Sequence, residues 1–202
     1  MSAQPEHILD FDELLAFEAA SPIRHEYIGG KLYAMAGGTI THARTIANLT
    51  AAVQAKLWDK PCGTASGDLK VRTSETARNW YYPDLTIVCP PIRTHPSDED
   101  SLLNPHAIFE VLSPATAEFD RTGKFDEYQL IPEFSDYILV SVDRVRIEHF
   151  WRVGSGDWTH RVYRLLSQEL QLQNFGISVP LSQIYKGIEV AEQGVLPGME
   201  ES

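Results

Sequence analysis

Two short apolar stretches, at residues 82–89 and 107–114, stand out in the pattern of apolar and polar positions. The first reads YPDLTIVC and the second reads AIFEVLSP. Runs this apolar and β-branched, bounded by prolines, predict buried strands of a sheet that is covered on both faces. Each run also contains one carboxylate, Asp84 or Glu110, that apolar packing does not explain.

Helical and hairpin patterns precede these strands. Apolar residues at helical spacing predict a short helix over 11–20 and a stronger helix over 41–57, for which Thr41 is a suitable N-cap. Between them, two runs of strand character flank Gly29 and Gly30, which predicts a tight hairpin within residues 24–35.

Alternation of polar and apolar residues predicts a further strand over 67–73. Asp68, Lys70 and Arg72 share one face of that strand, and the simplest partner for this face is solvent. Residues 90–104 are polar and rich in proline, so we expect a long, mobile surface loop there.

The second half of the chain is rich in strands. We expect a helix over 124–131, beginning as early as Asp120, and a buried strand over 136–143. Further on, the patterns predict strands at 146–152 and 158–165, another strand within 170–181 and a helical turn at 182–185. This order of elements indicates an α/β or α+β domain with a mixed sheet.

Length and charge limit the classes of protein to consider. A chain of 202 residues is long enough for one domain with a substantial core, which we place at about 41–143 with a β-rich C-terminal extension at about 144–185. No apolar run reaches the length of about 18 residues that a membrane-spanning helix needs. The net charge of −11 argues against a protein that coats nucleic acid with its general surface.

Cysteine use and the N-terminus suggest a cellular location. Cys62 and Cys89 form no CxxC motif and no cluster with histidine, so we expect neither a disulfide framework nor a zinc site. Residues 1–10 are polar and acidic, lack the regions of a signal peptide and are expected to be frayed, as is the acidic C-terminal dozen. Together these features favour a cytoplasmic protein.

Paired carboxylates are the strongest chemical signal. Two ionised carboxylates side by side share a proton or a cation, and a hard cation such as Mg²⁺ or Mn²⁺ is the simplest choice. If the strands pair, Asp68 could join Asp84 and Glu110 on one sheet face, and the carbonyl after Glu110 could complete the metal shell. The alternative is that each carboxylate lies at a strand end and reaches water or an arginine.

A lysine beside such a metal could activate water for attack on a phosphate. Lys70 and Lys124 are the candidates, and a solvated surface lysine is the alternative for either of them. His42 at a helix start could contact a phosphate, and a hydrogen-bonded surface histidine is an equally weighted alternative. Glu26 beside the hairpin could add a carboxylate, and the alternative is a surface glutamate. The aromatic residues of the tail are more typical of a core or an oligomer interface than of a base-stacking platform.

Several short sequence segments, taken in order, resemble those of a known family. RHEYIGGKLYAMAGGT, HARTIANL, SGDLKV, YPDLTIV and FEVLSPAT, followed by the spaced Asp120, Lys124 and Tyr128, look like the Uma-two family of bacterial putative restriction endonucleases. The order Pro83-Asp84 and then Glu110 resembles the wider PD-(D/E)XK nuclease superfamily. The likeness covers roughly residues 10–150 and continues weakly into the tail.

This resemblance implies a restriction-endonuclease-like fold with an αβββαβ core, in which a mixed sheet is flanked by helices, with an N-terminal hairpin and a C-terminal β extension. It also implies a Mg²⁺-dependent site in which Asp84 and Glu110 are the metal-binding acids. The residue two positions after Glu110 is Leu112, where the superfamily has lysine, so Lys124 or Lys70 would have to take that role. By analogy with two-strand cleavage, and from the aromatic tail, a homodimer is expected.

Three functions follow as hypotheses. The first is a metal-dependent endonuclease acting on DNA, with Asp84, Glu110 and Asp68 as metal ligands, Lys124 or Lys70 activating water, and Glu26 and His42 assisting. The second is a catalytically inactive binding or assembly module of the same fold, which the displaced lysine and the acidic surface favour. An enzyme acting on RNA or on another phosphate is a third possibility.

Overall fold

The computed structural model of the chain describes residues 10–35, 37–114, 116–154 and 156–192, so the expectations for residues 1–9 and for the last ten residues lie outside the described part. The helices are α1 Phe11–Ala20, α2 Ile40–Leu57, α3 Ala117–Arg121, α4 Gly123–Tyr128 and α5 Leu181–Ile184. The first eight strands are β1 His25–Ile28, β2 Lys31–Ala34, β3 Gly63–Ser66, β4 Lys70–Val71, β5 Leu85–Val88, β6 Thr94–His95, β7 Asp98–Leu102 and β8 Ala107–Val111. The remaining strands are β9 Asp136–Val140, β10 Arg144–Val145, β11 Ile147–Val153, β12 Asp157–Tyr163, β13 Glu169–Leu172, β14 Ile177–Pro180 and β15 Ala191–Glu192.

A six-stranded sheet with the order β12-β11-β9-β8-β5-β3 forms the centre of the protein. Strands β8 and β9 are parallel, and every other pair in this sheet is antiparallel. The parallel pair requires a crossover, which α3 and α4 supply. The chain order α2, β3, β5, β8, α3–α4, β9 confirms the αβββαβ core, and the β11–β12 hairpin lengthens the sheet at one side.

Helices cover both faces of this sheet because its strands are apolar on both sides. On one face, Leu49 and Val53 of α2 pack in one apolar cluster with Ile87 and Phe109 of the sheet. On the other face, Tyr128 of α4 belongs to a second cluster. Because side chains alternate along a strand, Phe109 points towards α2, so its neighbour Glu110 points towards α4.

An N-terminal hairpin, β1–β2, lies outside the main sheet, as predicted. Gly29 and Gly30 have φ angles of 57° and 87°, which a two-residue hairpin turn of this kind requires and which glycine adopts without strain. Tyr27 stacks on Trp80 with ring centroids 5.0 Å apart, and the main chains of these two residues form a β-bridge. These contacts fix the hairpin against the segment that leads into β5.

Two predictions of local structure were wrong. Residues 67–69 form a turn, so the strand expected over 67–73 is reduced to β4, which pairs with β7 in a separate three-stranded sheet. The loop expected at 90–104 contains β6 and β7, and its end is buried at Ser101 and Leu102. The strand was not recognised because Glu99 and Asp100, in the first half of β7, are polar and exposed.

Smaller differences concern element boundaries. The cap of α2 is Thr39, whose Oγ1 accepts a hydrogen bond from the N–H of His42 at 3.2 Å, and Thr41 lies inside the helix. The helix expected to end at residue 131 is broken at Thr122 into α3 and α4. The strand expected within 170–181 is the hairpin β13–β14.

The two cysteines contradict the sequence-based expectation. Cys62 and Cys89 form a disulfide, with their Cα atoms 4.1 Å apart, immediately beyond the pair Gly63 and Val88 in the β3–β5 ladder. Pairing of β3 with β5 brought these residues together across 27 positions of sequence, which spacing rules do not detect. The argument from cysteine use for a reducing compartment therefore no longer holds.

Among the described residues, none of the helices is long and apolar enough to cross a membrane.

Candidate active site

The two carboxylates of the apolar strands lie side by side at one end of the sheet. In the antiparallel β5–β8 ladder Leu85 faces Phe109, so one further residue along the register brings Asp84 opposite Glu110. Side chains directly opposite each other in such a pair share a face. The Asp84 Oδ2 atom also accepts a hydrogen bond from the main-chain N–H of Val111 at 2.7 Å, which fixes its position.

A lysine from the crossover lies next to Glu110. The Nζ atom of Lys124, in the first turn of α4, is 3.2 Å from Oε1 of Glu110. It is also 3.0 Å from Oε1 of Glu26 and 3.2 Å from Oδ1 of Asp120. The Lys124 side chain is 6% exposed, so this ammonium and its three carboxylates form a buried cluster.

Glu26 enters this cluster from the N-terminal hairpin. It is the second residue of β1, and its Oε1 accepts a hydrogen bond from the main-chain N–H of Tyr82 at 3.2 Å. That contact ties the hairpin to the segment that carries Asp84. The hairpin therefore contributes one of the acids, although it lies outside the αβββαβ core.

His42 approaches from the opposite face, in the first turn of α2. Its Nε2 atom is 2.8 Å from the carbonyl oxygen of Val111 and 3.7 Å from Oδ2 of Asp84. Since a carbonyl only accepts hydrogen bonds, the Nε2 atom carries the proton in this contact. His42 and the Asp84 side chain are each 19% exposed, so this end of the site is its accessible side.

Burial and crowding of like charges shift the ionisation of these groups. Desolvation raises the pKa of Glu110 well above its ordinary value, and the neighbouring Asp120, Asp84 and Glu26 raise it further, although Lys124 opposes them. Desolvation also raises the pKa of Asp84, against the opposing effects of the Val111 N–H, His42 and Lys124. For Lys124, desolvation lowers the pKa, but the surrounding carboxylates outweigh it and hold the pKa well above its ordinary value.

Asp120 is a member of the cluster that the sequence-based site did not include. It lies on α3, four residues before Lys124, and its side chain is 4% exposed. Its Oδ1 atom is buried and accepts no hydrogen bond, although the Lys124 ammonium lies 3.2 Å away. The i, i+4 spacing with Lys124 was the available signal, although a break in the helix separates the two residues.

Two tyrosine hydroxyls contact the buried cluster. The Tyr128 hydroxyl donates to Oε1 of Glu110 at 3.4 Å, and the Tyr137 hydroxyl donates to the main-chain carbonyl of Asp120 at 2.7 Å. Burial and nearby carboxylates raise the pKa of both tyrosines well above the ordinary value, so both hydroxyls remain protonated donors. They orient Glu110 and the end of α3 without adding charge.

Two predicted site residues are placed elsewhere. Asp68 is in the exposed turn after β3 and forms an ion pair with Arg24, so it does not converge on Glu110. The Nζ atom of Lys70 is 2.9 Å from Oδ2 of Asp98 and 5.5 Å from the centre of the Trp80 ring. The predicted site positions of Asp68 and Lys70 both required a strand over 67–73 next to β5. The turn at 67–69 directs these two residues away from β5.

The donor atoms at this site are hard oxygens. Within the described ranges, no group of three or more His, Cys, Asp and Glu side chains is arranged to hold a metal ion. Mg²⁺, however, is commonly held by one or two protein carboxylates and takes its other ligands from water and phosphate. The carboxylates of Asp84 and Glu110 and the carbonyl of Val111 suit that chemistry, and the cluster carries more buried negative charge than Lys124 neutralises.

A solved structure shares this architecture. A protein described as a putative nuclease belonging to DUF820, from Anabaena variabilis ATCC 29413, superimposes with a TM-score of 0.71 at 14% sequence identity. The match covers 88% of this chain and 97% of the other. The two proteins therefore share a fold, and the αβββαβ core is that of the restriction-endonuclease-like fold class.

The sequence comparison identifies the family within that class. Residues 11–182 match the model of the Uma2 family, whose description is "Putative restriction endonuclease", and the chain belongs to this family. Two relatives are uncharacterized proteins of Synechocystis sp. One, slr1290, is 34% identical over 88% of this chain and 91% of its own length. The other, sll1609, is 28% identical over 75% of this chain and 85% of its own length.

Proposed function

We propose that the protein is a Mg²⁺-dependent endonuclease that hydrolyses phosphodiester bonds in DNA. The observation that carries this proposal is the contact between Lys124 and Glu110. The superfamily pattern has lysine two residues after this glutamate, where the present chain has Leu112. The Lys124 ammonium, supplied by α4, lies 3.2 Å from the same carboxylate, so a lysine is available to the site from a different element.

Each residue has a role that its surroundings support. Asp84 and Glu110 would hold Mg²⁺, or Mn²⁺ in its place, with the Val111 carbonyl as a main-chain ligand. When bound, such a cation lowers the pKa of a coordinated water and neutralises charge on the phosphate. Lys124 would orient the attacking water and stabilise the developing negative charge, since its ammonium remains protonated at neutral pH.

Glu26 and Asp120 would hold Lys124 in place, because each contacts its ammonium within 3.2 Å. His42 lies on the accessible side of the site, where its ring could donate a hydrogen bond to a phosphate oxygen. Its present acceptor is the Val111 carbonyl, so a change of partner at this histidine would accompany metal or substrate binding.

The net charge of −11 bears on the substrate. Phosphate binding normally depends on clusters of lysine and arginine. The acidic surface therefore limits this protein to weak or local contact with DNA. A cation in the site would supply attraction at the point where the phosphate binds. By analogy with enzymes that cut both strands of a duplex with two sites, we further propose that the protein acts as a homodimer.

The test is nicking of supercoiled plasmid with Mg²⁺ or Mn²⁺, comparing the wild type with Asp84→Ala, Glu110→Ala and Lys124→Ala. Lys70→Ala is the matched control, because Lys70 is also a largely buried lysine in an ion pair but lies outside the cluster. We expect the three site variants to lose at least the roughly 10–100-fold that loss of a metal-supporting residue costs. The control should cut like the wild type.

The result that contradicts the proposal is equally clear. If the wild type nicks no more than Asp84→Ala and Glu110→Ala, at low salt and with both cations, the protein does not hydrolyse double-stranded DNA. Calorimetric titration with Mn²⁺ then separates the two remaining possibilities. Binding that depends on Asp84 would point to a different phosphodiester substrate, such as single-stranded DNA or RNA, and absence of binding would favour the inactive binding module.

A further inference from the structure

One face of the β1–β2 hairpin connects the proposed active site to a neighbouring surface. Glu26 pairs with Tyr33 across the hairpin, and the ladder continues because the N–H of Met35 donates to the carbonyl of Arg24 at 2.8 Å. Alternation along the strands puts Arg24, Glu26, Tyr33 and Met35 on the same face. Glu26 contacts Lys124, so this face continues directly from the carboxylate cluster.

The side chains that flank Glu26 are exposed and suited to stacking. Tyr33 is 50% exposed and Met35 is 36% exposed, although both are large and apolar. Arg24 is also partly exposed, with its guanidinium 5.8 Å from the centre of the Tyr82 ring. An aromatic ring, a thioether and a planar cation are the groups that bind the flat faces of aromatic ligands.

A hollow of about 580 Å³ lies beside this face. Arg24, Ile23, Met35 and Tyr82 are among the residues that line it. Its volume is within the range of roughly 300–1,000 Å³ that is usual for small-molecule pockets. Tyr82 connects the hollow to the site, since its main-chain N–H donates to Glu26.

The hollow has a rigid, polar wall. The Tyr82 hydroxyl donates to Oε1 of Glu18 at 3.0 Å, and the Glu18 carboxylate also binds the main-chain N–H and the ring of His25. Glu18 is 7% exposed, so these contacts fix the ring of Tyr82 in one orientation. On the other side, Arg24 is held by its ion pair with Asp68 and by the Gly67 carbonyl.

We propose that this hollow binds an unpaired nucleobase of the strand being cut, with Arg24 of its lining as one stacking partner. Tyr33 lies outside the lining, opposite Glu26 on the same hairpin face, and would stack on the base where the strand passes from the hollow to the site. The preferred substrate is then single-stranded DNA. This inference rests on the proposed function, because the base would belong to a nucleotide whose phosphate lies at the site. A paired base is stacked inside the duplex and enters a pocket only after it is flipped out. The acidic surface also disfavours contacts along both backbones of a duplex, whereas stacking needs no positive surface.

Binding is measured separately from cleavage. The probe is a trinucleotide with 2-aminopurine at its centre, whose fluorescence is quenched when the base stacks, titrated into the full chain carrying Asp84→Asn. We expect saturable quenching, weakened at least about fivefold when Arg24→Ala or Tyr33→Ala is added. Tyr33→Phe should retain binding because the ring remains. Trp58→Ala is the matched control, since Trp58 is 78% exposed but follows the far end of α2.

A second arm measures cleavage by the wild type with Mg²⁺ or Mn²⁺, using one sequence as a single strand and as a duplex. We expect kcat/KM to be at least about tenfold higher for the single strand. Arg24→Ala and Tyr33→Ala should act mainly through KM, because neither residue contacts the carboxylate cluster at Lys124.

The two arms separate the inference from the proposed function. If the wild type cuts the duplex as well as the single strand, and the Arg24 and Tyr33 variants bind the probe and cut unchanged, the base pocket is refuted and hydrolysis stands. If quenching depends on Arg24 and Tyr33 but no DNA is cut, the base pocket is supported and hydrolysis is refuted.

Discussion

Two groups of charged side chains lie in the same row of the central sheet. Glu110 of β8 and Glu148 of β11 both pair with Leu139 of β9, so these two glutamates are separated by one strand and share a face. Adjacent residues of α3 serve the two groups, because Asp120 contacts Lys124 and Arg121 contacts Glu148. The groups therefore differ in charge balance more than in location.

Around Glu148 the negative charge is compensated by arginines. Its Oε1 accepts hydrogen bonds from Nε and Nη2 of Arg121 at 3.1 and 3.0 Å, and Arg146 contacts both carboxylate oxygens. These interactions outweigh the cost of desolvation and lower the pKa of Glu148. The side chains of Arg121 and Arg146 are 36% and 25% exposed, so their excess positive charge reaches water.

Around Lys124 the negative charge is not fully compensated. Three carboxylates contact one ammonium, Asp84 lies next to Glu110, and the Glu110 and Asp120 side chains are each at most 5% exposed. Burial keeps water from Glu110, and desolvation together with the neighbouring carboxylates raises its pKa. Buried charge of one sign without compensation costs stability, and retaining it is typical of a site that binds a cation.

The largest difference in stability between the two groups should follow from removing one cation from each. Lys124→Met leaves Glu26, Glu110 and Asp120 without a cation beside them, and breaking a buried pair in this way costs about 3–5 kcal/mol of unfolding free energy. Arg121→Met leaves Glu148 with Arg146 and should cost about 1 kcal/mol or less. Urea denaturation in EDTA measures both, and equal losses would contradict the distinction between the groups.

Metal binding should sharpen the contrast. At a concentration of 100 times Kd, Mg²⁺ or Mn²⁺ should stabilise the wild type by about 2.7 kcal/mol, because a ligand of the folded state stabilises it by mass action. Glu110→Gln should lose this stabilisation, and Glu148→Gln should keep it. Thermal unfolding with and without the cation is the measurement, with Ca²⁺ as a further hard cation. Stabilisation that persists in Glu110→Gln would show that the cation binds elsewhere.

Neutralising one glutamate in each group should have opposite effects in the absence of metal. Glu148→Gln weakens charged hydrogen bonds to two arginines and should cost about 1.5–3 kcal/mol. Glu110→Gln removes a repelled, desolvated charge and should be neutral or stabilising. Both variants keep the shape of the side chain, so chemical denaturation in EDTA isolates the charge. A large loss of stability in Glu110→Gln would instead indicate that this carboxylate is structural.

The smallest expected effect is on the pH dependence of stability without metal. Glu110 has a raised pKa when folded, so its contribution is present below pH 4.5, the ordinary value, and is lost as pH rises through the raised pKa. Glu148 has a lowered pKa, so its contribution is present above pH 4.5 and is lost as pH falls through the lowered pKa. The free energy of unfolding measured across pH in EDTA should therefore change less with pH above 4.5 in Glu110→Gln, and less with pH below 4.5 in Glu148→Gln, than in the wild type.

Local patterns predicted much of the fold. The bounds of α1 and the β1–β2 hairpin followed from helical spacing and from two adjacent glycines, because capping and turn preferences act over a few residues. The apolar runs predicted β5 and β8, because strands buried on both faces require apolar residues at every position. Polar segments were less informative, and β7 was mistaken for loop because its pairing with β4 depends on a distant part of the chain.

The candidate site divides in the same way. Asp84 and Glu110 were identifiable because each interrupts an apolar run, and the register of β5 with β8 then brings them together. Lys124 and Lys70 were equivalent candidates, because spacing along the chain does not show which ammonium reaches Glu110. The turn at 67–69 and the position of α4 distinguish them, and both result from packing.

The sequence by itself determined α2, β5, β8 and β9, the two acids at the strand ends and the hairpin that carries Glu26, because these depend on neighbours within about ten residues. Only the tertiary structure decided that Lys124 faces three carboxylates, that Asp68 pairs with Arg24, and that Cys62 meets Cys89. Those contacts join elements separated by long stretches of chain. They form because burying the apolar faces of the sheet fixes where each strand and helix lies, and the charged side chains then take the partners that this arrangement leaves within reach.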